Sequence, residues 1–238
     1  MRVIKLRSPR ISSAFGMLTT RIWQIYARIL VNRFHRVYYA TTANWSHNTY
    51  CGYRVLQFPG DLWLYQELIY RERPAFIIQT GVAYGGSLLF FAHLLDRIQA
   101  DATTIVVGID IQLSETAQQL NHPRIHLIEG NSTDPHVVRQ VESLLPAPMG
   151  MVSLDSDHSC THVLREIECY RHLVRVGCYL VVEDTNLNGH PVWENHGAGP
   201  YEAVEQFLCL NQDFIRDDNI WRRNLFSFHQ YGWLKRVQ

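Results

Sequence analysis

Apolar positions along the chain alternate between short continuous runs and longer stretches with helical spacing. The runs have the length of strands that are buried on both faces; they lie at 75–80, 104–110, 125–129, 149–155 and 178–183. The helical stretches separate most of these runs and lie at 86–98, 134–145 and 159–175. Strands and helices that alternate in this way are typical of a parallel sheet covered by helices on both faces. We therefore predict an α/β fold with a mostly parallel sheet.

The two ends of the chain add elements of other kinds. Apolar residues in 15–39 form one helical stripe, with Leu18 and Ile29 near its two ends, and predict an amphipathic helix. A second helix is predicted from Asp61 until Pro74 stops it. The aromatic segment 225–237 alternates in part and predicts a final antiparallel strand. We divide the chain into a helical N-terminal extension, 1–60, and a main domain, 61–238.

Charge is distributed unevenly between these two parts. Residues 1–60 hold nine Arg or Lys and no acidic residue, whereas 61–238 hold 13 basic and 22 acidic residues. Such a cationic segment can meet an anionic membrane surface, nucleic acid, or the acidic remainder of its own fold or of a partner subunit. We expect a homo-oligomer and no nucleic-acid partner, and we leave a peripheral membrane contact open. Arg28 and Arg33 interrupt the best candidate for a membrane span.

The five cysteines give no sign of a disulfide framework. Their number is odd and none forms a C-x-x-C pair. This usage favours a reducing compartment, and we expect a cytoplasmic protein.

Candidate chemistry lies where the predicted strands end, because ligands of open parallel sheets bind outside the carboxyl ends of the strands. The first strand ends in "QTGVAYGGS", in which Gly81, Gly85 and Gly86 permit a tight turn before a helix that starts near Ser87. The spacing G-x-x-x-G-G differs from the G-x-G-x-x-G of dinucleotide enzymes, so a nicotinamide cofactor is disfavoured.

The next two strands end in groups suited to a nucleoside. Asp110 ends the second strand, where a carboxylate can accept hydrogen bonds from both ribose hydroxyls. The third strand is followed by "EGNSTD", where Asn131, Ser132 or Asp134 can bond an adenine edge or simply cap a helix. The glycine turn and Asp110 together predict a nucleoside-type cofactor site.

Acidic residues end the fourth and fifth strands, in "LDSDH" and "VVEDTNLNGH". Carboxylates that meet at one edge repel one another unless a cation or shared protons compensate, and an all-oxygen cluster suits Mg²⁺. The candidates are Asp155, Asp157, Glu183 and Asp184. His158 is a candidate general base. His158 and His162 also have the spacing of a zinc face, but no third ligand follows from the spacing.

Taken in order, these stretches resemble the class I S-adenosylmethionine-dependent methyltransferases and, more narrowly, the cephalosporin hydroxylase family. That family includes the methyltransferase component of cephalosporin 7-methoxylation and rhamnosyl O-methyltransferases of glycolipid synthesis. The matching stretches cover roughly 58–208 and include "PGDLWLYQELIYRERP", "TGVAYGGSLLFFA", "GIDI", "GNSTD", "LDSDHS", "GCYLVVEDTNLNGHPV" and "GPYEAVEQFL".

The resemblance implies a Rossmann-like sheet of seven strands and two sets of site residues. The implied S-adenosylmethionine site comprises Gly81, Ala83, Gly85, Ser87, Asp110, Asn131, Ser132 and Asp155. The implied Mg²⁺ ligands are Asp155, Glu183 and Asp184, with Asp157 beside them or in place of Asp155. One position departs from the pattern, since Gln79 stands where such methyltransferases usually have an acidic residue.

The implied activity is Mg²⁺-dependent methyl transfer from S-adenosylmethionine to a hydroxyl of a small molecule, sugar or glycolipid, in secondary-metabolite or glycan biosynthesis. The ion and Asp155 would prepare the hydroxyl, and His158 would take its proton. Two alternatives stay open: a cofactor-binding partner without catalysis of its own, and a metal-dependent hydrolase. The glycine turn and Asp110 argue against the hydrolase.

Overall fold

A computed structural model of the chain describes residues 14–146 and 150–238. The first thirteen residues of the predicted extension lie outside the described residues, as do the side chain of Leu18 and residue 149 of the predicted fourth strand. No helix among the described residues is both long and apolar enough to cross a membrane.

One sheet of seven strands organises the described residues, in the order β5-β4-β3-β6-β7-β9-β8. The first five strands in this order run parallel, and β9 pairs antiparallel with both β7 and β8. The strands are β3 (Phe76–Thr80), β4 (Ile105–Asp110), β5 (Ile125–Glu129), β6 (Met151–Leu154), β7 (Tyr179–Val182), β8 (Phe214–Arg216) and β9 (Trp233–Arg236). A separate small hairpin consists of β1 (Thr49–Tyr50) and β2 (Tyr53–Arg54). The predicted α/β fold with a mostly parallel sheet and an N-terminal helix is confirmed.

Helices follow most of the parallel strands. They are α1 (Ala14–Ala40), α2 (Ala43–Ser46), α3 (Pro59–Glu72), α4 (Gly86–Arg97), α5 (Glu115–Gln118), α6 (Pro135–Leu144), α7 (Cys160–Tyr170), α8 (Pro200–Leu210) and α9 (Asn219–Arg222). Helix α3 begins two residues before the predicted Asp61, since Pro59 takes the first helical position, where its missing N–H costs nothing. It ends at Glu72, and the next residue, Arg73, has a left-handed backbone.

Two predicted elements are shorter than expected. Within the predicted helix 159–175, α7 stops at Tyr170 and a 3-10 turn continues to Leu173. Within the predicted strand 225–237, only Trp233–Arg236 pairs with a neighbour, because the residues before it fold into turns. Strand β8 was not predicted, since two of its three residues are exposed and no apolar run marks it.

The sheet core explains why the parallel strands read as continuous apolar runs. Every residue of β3, β6 and β7 is buried, because helices cover both faces. Because these strands and β4 run parallel, their carboxyl ends meet at one edge of the sheet. That edge collects the residues that follow these four strands.

The end of α1 packs on the main domain, whereas most of its side chains between Arg21 and Phe34 are exposed. His35 is buried and lies between Phe226 and Phe228, with ring centroids 4.6 and 5.6 Å away. Large apolar side chains on the same helix face solvent, each at least 47% exposed; they are Ile22, Trp23, Ile25, Tyr26, Ile29, Leu30, Phe34 and Val37.

Candidate active site

The glycine turn after β3 is held by the carboxylate that ends β4. Gly81 has φ +78° and Ala83 has φ +47°, which bends the chain sharply before α4. The backbone N–H groups of Val82 and Ala83 donate to Asp110 Oδ2 at 2.8 and 3.0 Å. Asp110 therefore has a structural role in the turn; its Oδ1 accepts only from Gln112 N–H, at 3.2 Å, and keeps a lone pair for a ligand hydroxyl.

Gly81 is also a point of close approach between two strand ends. A Cβ at this position would lie 1.9 Å from the backbone oxygen of Asp155. No residue with a side chain fits there without displacing the segment that follows β6. The turn and the acidic segment are thus in direct contact.

One cavity of about 680 Å³ opens at this edge of the sheet, and most of the predicted cofactor residues line it. Those that do are Gly81, Ala83, Ser87, Asp110, Asn131, Ser132 and Asp155. Gly85 is not in the cavity wall: it precedes α4 with φ +80° and faces Leu120. Gln79 also lines the cavity; its Nε2 donates to the carbonyl of Gly81 at 2.8 Å, and its buried Oε1 has no partner among the described residues.

The segment after β5 caps a helix and also contributes to the cavity wall. Asp134 is the N-cap of α6, accepting a hydrogen bond from His136 N–H, and Asn131 Oδ1 accepts from Thr133 N–H. Ser132 Oγ donates to buried Glu166 at 2.5 Å. The capping interpretation therefore holds for Asp134, while Asn131 and Ser132 lie where a ligand can reach them.

Three side chains from the ends of β6 and β7 converge beside the glycine turn. His158 Nε2 lies 3.5 Å from Asp155 Oδ1 and 3.2 Å from Asp184 Oδ2. This Nε2 is buried and makes no hydrogen bond of good geometry within the described part of the chain. Each of the three groups offers one ligand atom, and these atoms lie within 4.8 Å of one another.

The environment of this cluster shifts the pKa values of its two carboxylates in opposite directions. Burial and the charges of Glu183 and Asp184 raise the pKa of Asp155 well above its usual range. Burial also opposes ionisation of Asp184, but the imidazole of His158, 3.2 Å away, outweighs this and lowers the pKa of Asp184. Burial lowers the pKa of His158, but the two carboxylates outweigh it and raise the pKa to about 11. A positive charge between Asp155 and Asp184 is therefore strongly favoured.

The geometry departs from the predicted ligand set at Glu183. Its carboxylate is buried and turned into the core, where Oε1 accepts from Tyr65 and Ser153 at 2.6 and 2.5 Å. Its Oε2 accepts from Gln57 at 2.6 Å and lies 3.1 Å from His229 Nε2. Both oxygens are thus engaged by the protein, so of the three predicted ligands only Asp155 and Asp184 face the cavity.

Two further predicted residues lie outside the cluster. Asp157 is exposed and accepts from Ser159 N–H at 2.7 Å, as a residue at the start of α7. His162 lies 3.5 Å from Glu166 and 3.2 Å from Ser132, so it does not form a zinc face with His158. The two carboxylates of the cluster suit Mg²⁺, which proteins usually hold by one or two carboxylates.

Sequence reasoning missed the residues beneath this cluster. His229 Nδ1 accepts from Asp184 N–H at 3.0 Å, and Asp61 Oδ2 accepts from Phe228 N–H at 2.8 Å. Asp61 was interpreted only as a helix start, although it is fully buried. No local pattern marks these residues, since the fold brings them together from distant positions.

Comparison with known proteins shows the family of the chain. Residues 42–237 match the family described as "Rhamnosyl O-methyltransferase/CmcI". The rhamnosyl O-methyltransferase of Mycobacterium leprae (strain TN) is 38% identical over 210 residues, covering 87% of this chain and 90% of that protein. The rhamnosyl O-methyltransferase of Mycobacterium tuberculosis (strain ATCC 25618 / H37Rv) is 33% identical over 206 residues, covering 86% and 81%.

Solved structures of CmcI share the fold. CmcI with Mg and SAM has a TM-score of 0.61 at 25% identity, covering 81% of this chain and 78% of that chain. Its apo structure has a TM-score of 0.63 at 25% identity, covering 81% and 77%. The predicted resemblance is confirmed: the chain belongs to the rhamnosyl O-methyltransferase/CmcI family and is an S-adenosylmethionine-dependent O-methyltransferase.

Proposed function

We propose that this enzyme methylates a hydroxyl of a sugar, specifically a rhamnosyl unit, and that it requires Mg²⁺ held by Asp155 and Asp184. The observation that carries the proposal is the shared cavity: the glycine turn, Asp110 and the cluster of Asp155, His158 and Asp184 line the same space. A methyl donor and an acceptor hydroxyl can therefore meet there. The rhamnosyl acceptor is supported by the names of relatives that are 33–38% identical over most of the chain.

The donor side of the cavity suits S-adenosylmethionine. The turn at Gly81 allows close backbone approach, and Asp110 Oδ1, which the turn does not use, can accept from a ribose hydroxyl. The buried Oε1 of Gln79 can accept a hydrogen bond from a ligand amino group. These groups hold the donor without help from a metal ion.

The acceptor side depends on the charge of the cluster. When bound, Mg²⁺ would lower the pKa of an acceptor hydroxyl and fix its oxygen in place. Asp155 and Asp184 supply the negative charge that attracts such an ion, and the fit is supported by their convergence on the unpartnered Nε2 of His158. Glu183 would contribute from the core, by fixing the segment that carries Asp184.

In the transfer step, the acceptor oxygen forms a bond to the methyl carbon as the bond from that carbon to sulfur breaks. The acceptor proton leaves, and S-adenosylhomocysteine departs with a neutral sulfur. His158 Nε2 is the group of the cluster that can accept this proton. The two carboxylates raise its pKa to about 11, so it would act as a base only where a bound cation compensated their charge.

The test is methyl transfer from labelled S-adenosylmethionine to a simple aryl α-rhamnoside, with and without Mg²⁺. We expect product only with the ion, and we expect chelation to leave S-adenosylmethionine binding intact in calorimetry. Asp155→Asn should abolish turnover, whereas Asp157→Asn, the control at an exposed acid nearby, should retain most of it. Activity that survives full chelation would remove the metal from the proposal, and the absence of transfer to any sugar would remove the acceptor.

A further inference from the structure

One part of the cavity wall has no role in the site described above. It is aromatic and is built largely from the N-terminal extension, through Tyr39 at the end of α1 and Trp45 in α2. Trp193, in the loop after β7, completes it. That same loop carries Asp184, and both residues line the cavity, so the aromatic wall and the acidic cluster belong to one continuous surface.

Tyr39 and Trp45 form a fixed pair. Their rings stack with centroids 5.3 Å apart, and Trp45 Nε1 donates to the Tyr39 carbonyl at 2.9 Å. Both rings also contact buried Phe228 edge-on, at 5.5 and 5.9 Å. Burial and the charge of Asp184 both raise the pKa of Tyr39, which agrees with its position close to the acidic cluster.

Trp193 is exposed although its loop is well held. Its side chain is 60% exposed and its backbone is left-handed, with φ +46°. A bulky residue in this conformation is strained, and such strain is concentrated at functional sites. Its place in the cavity wall, together with this strained backbone, indicates a ring that contacts a ligand.

Helix α1 holds the loop from outside. Arg36 Nε donates to the Pro191 carbonyl at 2.8 Å, and the same guanidinium lies 3.1 Å from Glu194. The two contacts lie on either side of Trp193 in the sequence. The extension therefore both supplies part of the wall and restrains the loop that supplies the rest.

We infer that these aromatic residues form the acceptor subsite, with Trp193 as the surface on which the sugar ring stacks. The inference rests on the proposed function and names the contact that recognises the substrate class. A pyranose ring presents C–H groups on its faces, and a rhamnosyl ring adds a methyl group, so an aromatic plane matches it while its hydroxyls stay free. A ring held there carries a hydroxyl toward Asp184 and leaves the glycine turn to the donor.

The experiment measures steady-state kinetics with an aryl α-rhamnoside at saturating S-adenosylmethionine and Mg²⁺. Trp193→Ala should raise KM for the rhamnoside about tenfold, the size expected for an aromatic contact of about 1.4 kcal/mol, and change kcat by less than about threefold. Trp193→Phe keeps an aromatic plane and should recover most of the loss. Trp63→Ala removes an equally exposed tryptophan, at 62%, that lies on α3 outside the cavity wall, and should change neither constant.

Arg36→Met tests the loop restraint separately. It should raise the same KM by a smaller factor, while Arg36→Lys, which can still donate to the Pro191 carbonyl, should restore it. Affinity for S-adenosylmethionine should be unchanged in every variant. If the wild-type enzyme methylates the rhamnoside and Trp193→Ala keeps its KM within twofold, the inference is wrong and the proposed function stands. If no sugar is methylated at all, the proposed function fails and the inference falls with it.

Discussion

The free energy of unfolding should depend on pH through one buried histidine near the end of α1. His35 is 1% exposed, lies between two phenylalanine rings, and accepts a hydrogen bond from Asn186 Nδ2 at 3.1 Å. Burial lowers its pKa from 6.5 to about 4, against an opposing effect of the charge of Asp184. Between these two values the unfolded chain binds a proton that the folded chain does not. Stability from His35 is therefore fully present above pH 6.5 and is lost as pH falls toward 4.

The magnitude follows from the separation of the two pKa values. At about 1.4 kcal/mol for each pH unit, the folded protein should lose about 3 kcal/mol between pH 7 and pH 4 from this residue alone. Burial of Asp61 raises its pKa to about 6 and has the opposite slope, so the raw stability of the wild type mixes both effects. Comparing the wild type with His35→Gln at each pH removes the contribution of Asp61.

Urea unfolding followed by tryptophan fluorescence at pH 7, 6, 5 and 4 provides the measurement. Glutamine retains an acceptor for Asn186. The variant should therefore lose the same amount of stability at every pH, from poorer packing, and should lack the further loss of stability that His35 causes at acid pH. His136→Gln, at an exposed histidine on α6, is the control and should follow the wild type at every pH. Parallel curves for the wild type and His35→Gln across this range would refute the assignment of the pH dependence to His35.

Three further predictions concern the donor site, the strand contact and α1. Asp110→Ala should weaken S-adenosylmethionine binding in calorimetry by about 1–3 kcal/mol, because the turn and the ribose lose a charged acceptor together; unchanged affinity would contradict this. Gly81→Ala should destabilise the protein by about 1–3 kcal/mol more than Gly177→Ala, since both have positive φ but only Gly81 would meet a backbone oxygen; equal losses in urea unfolding would disprove the close approach. Trp23→Ser with Leu30→Ser should abolish salt-dependent binding to anionic vesicles, whereas Leu210→Ser should not; a changed oligomeric state in light scattering would instead assign this face to a second copy of the chain.

Much of the sheet could be predicted because its strands are buried on both faces. Strands β3, β4, β6 and β7 are buried along almost their whole length and are mostly apolar, so the local sequence alone marks them. Strand β8 has one buried residue and carries no such mark, whereas the partial alternation of 225–237 predicted the final strand but not its bounds. The existence of β8 and the bounds of β9 are set by tertiary pairing, which local pattern does not report.

The same limit separates the candidate residues that were identified from those that were missed. Gly81 and Asp155 directly follow strands and Asp110 ends one. They could be identified because ligands of open parallel sheets bind at the carboxyl ends of the strands. The orientation of Glu183 depends on Tyr65 and Gln57, which lie more than a hundred residues earlier in the chain. Its turn into the core could not be read from "VVEDTN", where Glu183 and Asp184 look equivalent.

The position of β9 has a consequence for synthesis of the protein. This strand lies between β7 and β8, yet it is made after both of them, and His229 beneath Asp184 is made with it. During synthesis, one edge of β7 therefore has no partner strand until residue 236 has left the ribosome. Unpaired edges of incomplete sheets are where growing chains associate wrongly. Expression of this enzyme should accordingly be more sensitive to stalling or premature termination near its C-terminal end than its small share of the sequence suggests.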